Sequence, residues 1–142
     1  MKIVVKRVYE DLDNKSYRVL SDRLWPRGIK KEDLKADIWP KEICPSNELR
    51  KSFHSGKIDQ DEFKEEYRKE IKENKDNWKN FKKAISDKEN ILLLSAAKNP
   101  VHCYLIKEEL EKEWIKSLLF ISSNKYSIIS QKFQEILAYG LV

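Results

Sequence analysis

The stretch "NILLLSA" (residues 90–96) decides the fold class that this sequence predicts. It is a short apolar run in which apolar and polar residues do not alternate. Such a run is typical of a strand that is buried on both faces of a parallel sheet. Two further strands are predicted upstream, in "KIVVKRVY" (residues 2–9) and "YRVLSDRL" (residues 17–24), because both are rich in apolar and β-branched residues.

The clearest helical pattern covers residues 59–85, between the second strand and the central one. Its apolar residues recur at helical spacing, and Asp59 with Glu62 forms an acidic variant of the capping box at its start. Residues 74–77 mark a break between two helices. Ser46 is suited to be the N-cap of a separate helix upstream.

Three more elements are predicted outside this region. Residues 30–39 suggest a short helix that stops near Pro40, and residues 101–118 suggest a longer one. Residues 118–123, "LLFISS", are a candidate for a further strand. Residues 126–140 predict a closing amphipathic helix. One side of that helix would carry Ile129, Phe133, Ile136 and Leu137, which would either pack in the core or mediate self-association as a homodimer.

The order of strand, helices, apolar strand and helix favours an α/β fold. We expect one small domain over residues 1–142, with a partly parallel sheet flanked by helices in Rossmann-like layers. Ligands of such sheets collect at the carboxyl ends of the strands. The segments "RLWPRG" (residues 23–28) and "SAAKNPVHC" (residues 95–103) fall there.

Composition narrows the class of protein. Of the 142 residues, 40% are hydrophobic and 37% are charged, which suits a single core under a highly charged surface. The net charge of +5 is mild, and alternating Lys and Glu indicate solvated helix faces, so nucleic-acid binding is allowed but not favoured. No run is long enough to span a membrane. Two distant cysteines and the lack of a signal peptide favour free thiols in the cytoplasm.

Arg23, Trp25 and Arg27 cluster in "SDRLWPRGIKK" (residues 21–31). Guanidinium groups match carboxylate and phosphate, and two of them around a Trp-Pro corner could bracket an anion. In the alternative interpretation, Trp25 packs in the core and the arginines pair with neighbouring acids. Those acids are Asp22, Glu32 and Asp33.

Two more groups could carry chemistry. Arg50 and His54 lie one helical turn apart, and His54 could transfer a proton, or it could simply end a helix at the surface. Cys103, at the start of a helix, could be a nucleophile assisted by Lys98, or it could be a buried apolar residue. No pair of His or Cys residues has metal-ligand spacing, so no metal site is predicted, and no motif indicates a particular cofactor.

The strings "YRVLSDRLWPRGIKKEDL", "CPSNELRKSFH" and "ILLLSAAKNPVHCYLI" resemble the domain of unknown function 488 family, in its YeaO-like branch. The resemblance implies a small cytoplasmic α/β domain with no securely assigned activity. It also implies that residues 117–142 extend past the usual family end. This chain departs from the family at Ala97, where an acid is common, and at Tyr104 and Leu105, where His and Arg often follow the cysteine.

These observations favour a site for a small anion, phosphate, nucleotide or carboxylate. Its predicted binding residues are Arg23, Trp25, Arg27, Ser46, Arg50 and Lys98. Whether the site also catalyses a reaction stays open, with His54 and Cys103 as the candidate catalytic residues. The first alternative is a non-catalytic module that binds nucleic acid or protein. The second is that the arginines are structural and bind buried carbonyl groups.

Overall fold

The computed structural model describes residues 1–138, except for the side chains of residues 126–129, 132, 133 and 135–138. Three strands, a 3-10 turn and five helices follow one another in this part of the chain. They are β1 (Lys2–Arg7), β2 (Tyr17–Leu20), α1 (Lys31–Leu34), the 3-10 turn (Lys41–Ile43), α2 (Asn47–His54), α3 (Gln60–Glu73), α4 (Lys75–Ile85), β3 (Asn90–Ser95) and α5 (Val101–Ala138).

The three described strands form one parallel sheet in the order β1-β3-β2. Ile3 pairs with Ile91, and Leu20 pairs with Leu94. The central strand β3 is buried at every residue after Asn90, because it has a neighbour on each side and side chains against both faces. The prediction of an α/β fold with a parallel sheet is therefore confirmed.

The predicted helix starts are also confirmed. The Ser46 hydroxyl accepts a hydrogen bond from the Leu49 N–H at 3.1 Å, and the Asp59 carboxylate accepts one from the Glu62 N–H at 2.8 Å. Each cap binds an N–H group that lacks a partner within its own helix. Asn74 separates α3 from α4, where the sequence predicts a break.

The core on one side of the sheet contains Leu20, Leu92 and Leu94 from the strands, with Val8 and Leu34 packed against them. Burying a side chain of this size contributes about 1.5–3 kcal/mol. The aromatic rings of α3 and α4 are buried as well. Those residues are Phe63, Tyr67, Trp78 and Phe81. Trp25 and Trp39 lie partly buried at the edge of the first group, which places the loop after β2 against the core.

One element was predicted wrongly. Residues 118–123 form no strand, because α5 continues through them. A helix satisfies its backbone hydrogen bonds within its own segment, whereas a strand needs a neighbour, and a short apolar run does not distinguish the two. The separate closing helix is likewise part of α5. Its predicted apolar side, at Ile129, Phe133, Ile136 and Leu137, concerns side chains outside the described residues.

The chain divides into two compact units, Met1–Lys107 and Glu108–Val142. The first contains the sheet, α1 to α4 and the start of α5. The second begins before residue 117, the predicted start of an extension, and the single domain over residues 1–142 stays a prediction. No helix in the described residues has the length and apolar character needed to cross a membrane.

Candidate functional site

A cavity of about 410 Å³ lies in the first unit, where the carboxyl ends of all three strands meet. Tyr9 follows β1, Asp22 to Arg27 follow β2, and Ala96, Ala97 and Asn99 follow β3. Side chains of α2, α3 and α5 complete the wall. This is the edge of a parallel sheet at which ligands collect, as the sequence predicts.

Asp22 and His102 meet at this cavity. The His102 Nε2 atom lies 2.9 Å from Asp22 Oδ1, and both side chains are largely buried. The Ser95 hydroxyl donates to Asp22 Oδ1 at 2.6 Å, and the Ala96 N–H donates to Oδ2 at 2.7 Å. Ser95 is the last residue of β3 and Ala96 follows it, so the carboxylate joins the loop after β2 to the end of the central strand and to α5.

These contacts shift two pKa values in opposite directions. Burial, the largest effect on Asp22, favours its neutral form, but hydrogen bonds from His102, Ser95 and Ala96 outweigh it and lower the pKa. Burial also opposes the charge on His102. The sulfur of Cys103 and the Asp22 carboxylate outweigh that effect and raise the pKa of His102 to about 10. The two side chains therefore form an ion pair at neutral pH.

Arg23 and Trp25 line the cavity but also hold the structure together. Arg23 donates through Nε to the Pro45 carbonyl at 2.8 Å and through Nη2 to the Cys44 carbonyl at 2.7 Å. It thus fixes the turn that leads into α2. The Trp25 indole N–H donates to the Ile29 carbonyl at 2.6 Å, and its ring packs edge-on against Trp39.

Arg27 and Arg50 have guanidinium N–H groups that make few or no hydrogen bonds within the described residues. The exposed Arg27 guanidinium makes no hydrogen bond or ion pair within the described part of the chain, although its backbone carbonyl accepts one from the Tyr9 hydroxyl. Arg50 makes one long contact, from Nη2 to Asn47 Oδ1 at 3.3 Å. Its Nε is buried and has no partner among the described residues. Because Arg50 lines the cavity and makes only this one long hydrogen bond in the described part of the chain, its guanidinium group is suited to bind an added acceptor.

The structure brings together five of the eight predicted site residues. Arg23, Trp25, Arg27, Arg50 and His54 all line the cavity. The other three lie elsewhere. Ser46 caps α2, and its hydroxyl and backbone N–H both donate to the Glu70 carboxylate. Lys98 is exposed beside the cavity, and Cys103 has no exposed surface.

The pairing of Asp22 with His102 was missed from the sequence. The sequence by itself suggests Asp22 only as a partner for nearby arginines. The pair is separated by 80 residues in the chain. The available signal was that both residues follow predicted strand ends that meet at one edge of a parallel sheet.

Comparison with known proteins fixes the family. The family model described as the inactive DUF488-N3 subclade matches residues 2–126. The chain belongs to this family. The predicted resemblance is thereby confirmed.

Curated relatives of this DUF488 chain agree. It is 42% identical over 119 residues to the uncharacterised protein YeaO of Escherichia coli (strain K12), a match that covers 83% of this chain and 100% of YeaO. It is 45% identical over 71 residues to uncharacterised proteins of Mycobacterium bovis and Mycobacterium tuberculosis, which covers 49% of this chain and 60% of each relative. No solved structure is significantly similar to the chain.

Proposed function

We propose that this DUF488 protein binds a small anionic molecule in the cavity at the carboxyl edge of its sheet and does not convert it. One observation carries the proposal. Three arginines line the cavity, and Asp22 is the single carboxylate among the described lining residues. Because Asp22 is already paired with His102, the positive charge of the arginines is left uncompensated.

The size and walls of the cavity support a small ligand. Its volume of about 410 Å³ falls in the range of small-molecule sites. Phe53 and Phe63, with ring centroids 4.6 Å apart, contribute an apolar wall beside Arg50. A few polar groups set among apolar side chains are the usual composition of a site that orients one bound molecule.

Three observations favour binding without turnover. The raised pKa of His102 keeps it protonated at neutral pH, so it is a poor general base. Cys103 is fully buried, which is unlike the partly exposed setting of reactive cysteines. The family description includes the word inactive. The catalytic roles of His54 and Cys103 therefore stay predictions that the proposal does not use.

The alternative is a module that binds nucleic acid through a broad basic surface. The net charge of +5 allows it. Binding of that kind weakens steeply with salt, because counterions are released from the phosphate backbone. A single cavity with apolar walls predicts a weaker dependence on salt and a strict limit on ligand size.

The test is isothermal titration calorimetry with three matched ring compounds at constant ionic strength. Phenyl phosphate and benzoate carry an anionic group, and benzyl alcohol is the neutral control. We expect at least one anion to bind and benzyl alcohol to bind at least about tenfold more weakly, since a charge-assisted hydrogen bond contributes about 1.5–3 kcal/mol.

Two variants test whether the anion binds in this cavity. Arg27→Gln should weaken anion binding by about tenfold, the loss of one charge-assisted contact. Lys51→Gln removes the same charge from an exposed residue of α2 that does not line the cavity, and it should bind as the wild type does. The proposal would be contradicted if benzyl alcohol bound as tightly as the anions, or if both variants lost the same affinity for the anion. Tight binding of a DNA oligonucleotide with a steep salt dependence would favour the alternative.

A further inference from the structure

We infer that the ligand of this cavity is a dianion, namely a small phosphate monoester with an apolar, ring-sized substituent. The inference rests on the proposed function and narrows its ligand class. Three features of the cavity support it: its net charge, the number of its free donors and the position of its apolar wall.

The positive charge of the lining favours a ligand that carries more than one negative charge. Asp22 and the protonated His102 balance each other, so the three arginines leave a net charge of +3 before His54 is counted. The cavity is partly shielded from water, and cations there interact strongly when a counter-charge is present. A monocarboxylate would compensate one of these charges, whereas a phosphate dianion would compensate two.

The free donors outnumber the oxygens of a carboxylate. Arg23 donates through Nε and Nη2 to backbone carbonyls, but Arg27 has its whole guanidinium group available, and Arg50 makes only one long hydrogen bond among the described residues, to Asn47. Guanidinium groups bind oxyanions through two parallel hydrogen bonds. A carboxylate has two oxygens, and both are used when it binds one guanidinium group in this way. A phosphate monoester has three terminal oxygens and can satisfy two guanidinium groups together.

The apolar wall accounts for the substituent. Phe53 precedes His54 on α2, and its ring stacks at a tilt against Phe63 of α3. Val101, at the start of α5, lines the same cavity. An anion bound at Arg50 therefore lies next to apolar surface, and a free phosphate ion would leave that surface without contact. An aromatic or alkyl group on the ester would cover it.

The deciding experiment compares phenyl phosphate with phenyl sulfate by calorimetry at pH 7.5 and pH 5.0, at fixed ionic strength. The two esters have nearly the same shape, but the sulfate ester stays a monoanion, whereas the second pKa of a phosphate ester is about 6. We expect phenyl phosphate to bind at least about tenfold more tightly at pH 7.5, and the ratio to fall below about threefold at pH 5.0.

The sulfate ester also serves as the control for protonation of the protein. The titratable side chains at the cavity are Tyr9 after β1, Asp22 from the loop after β2, His54 on α2 and His102 on α5, beside three arginines that stay charged. Phenyl sulfate stays a monoanion at both pH values, so its own change in affinity between pH 7.5 and pH 5.0 reports any change in the charge of the protein. In Arg50→Gln the preference for phosphate at pH 7.5 should fall at least threefold, and in Lys51→Gln it should persist.

Each outcome has one meaning. If both esters bind equally at pH 7.5, or if benzoate binds as tightly as phenyl phosphate, the ligand is not specifically a dianion. The proposed anion site would still stand. If none of these anions binds, the proposed function itself is wrong. A phosphotyrosine pentapeptide carries the same head group on a polypeptide. If it binds tenfold more tightly than phenyl phosphate, the assignment to a small molecule is overturned.

Discussion

His102 of α5 lies 2.9 Å from Asp22, although the two residues are 80 positions apart in the chain. The contact joins the loop after β2 to the helix after β3, and both segments form walls of the cavity. Ser95 and Ala96 at the end of β3 bind the same carboxylate. The pair therefore ties the fold of the first unit to the shape of its candidate site.

The His102 contact predicts a loss of stability in alkaline solution. The pKa of His102 rises on folding from 6.5 to about 10, so the folded state favours the protonated ring. This stabilisation is fully present below about pH 6.5 and is lost as the pH rises toward 10. The slope cannot exceed about 1.4 kcal/mol per pH unit for one group. Urea unfolding between pH 6 and pH 10 should show this decline in the wild type and a smaller one in His102→Gln. If the free energy of unfolding declined equally with pH in both proteins, the ion pair between His102 and Asp22 would be contradicted.

Asp22→Asn should destabilise the protein by about 1–3 kcal/mol, because the amide cannot accept all three hydrogen bonds and leaves the charge of His102 buried without a partner. The pKa of Asp22 is lowered on folding, so its contribution is present above its unfolded value near 3.9 and is lost as the pH falls through the folded value. Chemical denaturation at pH 7 and pH 3 should show a smaller effect of the mutation at pH 3. Asp11→Asn, at an exposed position, is the matched control.

Arg23 and Arg27 should separate structural from binding roles. Arg23→Ala removes two donors from the carbonyls of Cys44 and Pro45, which should lower the free energy of unfolding by about 1–3 kcal/mol. Arg27→Ala removes an exposed side chain without a hydrogen bond in the described residues, and it should change stability by less than about 0.5 kcal/mol. An equal loss in both variants would show that Arg27 also supports the fold.

Ser46→Ala should lower the free energy of unfolding by about 1–2 kcal/mol, which is typical for loss of a helix N-cap. The Ser46 hydroxyl accepts from the Leu49 N–H and donates to Glu70 of α3, so one substitution weakens both a cap and a link between two helices. Ser55→Ala, at the exposed carboxyl end of α2, is the control and should have little effect. Thermal unfolding followed by circular dichroism measures both, and equal melting temperatures would refute the cap.

Both cysteines should resist thiol reagents until the protein unfolds. Cys44 and Cys103 are free and buried, and burial raises the pKa of Cys44 above its usual range. We expect Ellman's reagent to react slowly with the native protein and to titrate two thiols in guanidinium. Rapid reaction of one thiol in the native protein would restore Cys103 as a candidate nucleophile, and Cys103→Ser would identify which thiol reacts.

The sequence determined what depends on neighbours within a few residues. The unbroken apolar run at β3 predicted a buried parallel strand, and Ser46 and Asp59 marked helix starts correctly. The break at Asn74 was also predicted. Hydrophobic periodicity and helix caps act over four residues or fewer, so they can be recognised in a single segment.

Only the tertiary structure decided which chemical groups meet and which are free. The parallel strand register brings Asp22 to Ser95 and places both beside His102. The path of the chain before α2 places a backbone carbonyl within hydrogen-bond distance of Arg23. The same packing leaves Lys98 outside the cavity and buries Cys103. These contacts join residues far apart in sequence. Their geometry is fixed by the pairing of strands and the burial of a shared core, which no local pattern records.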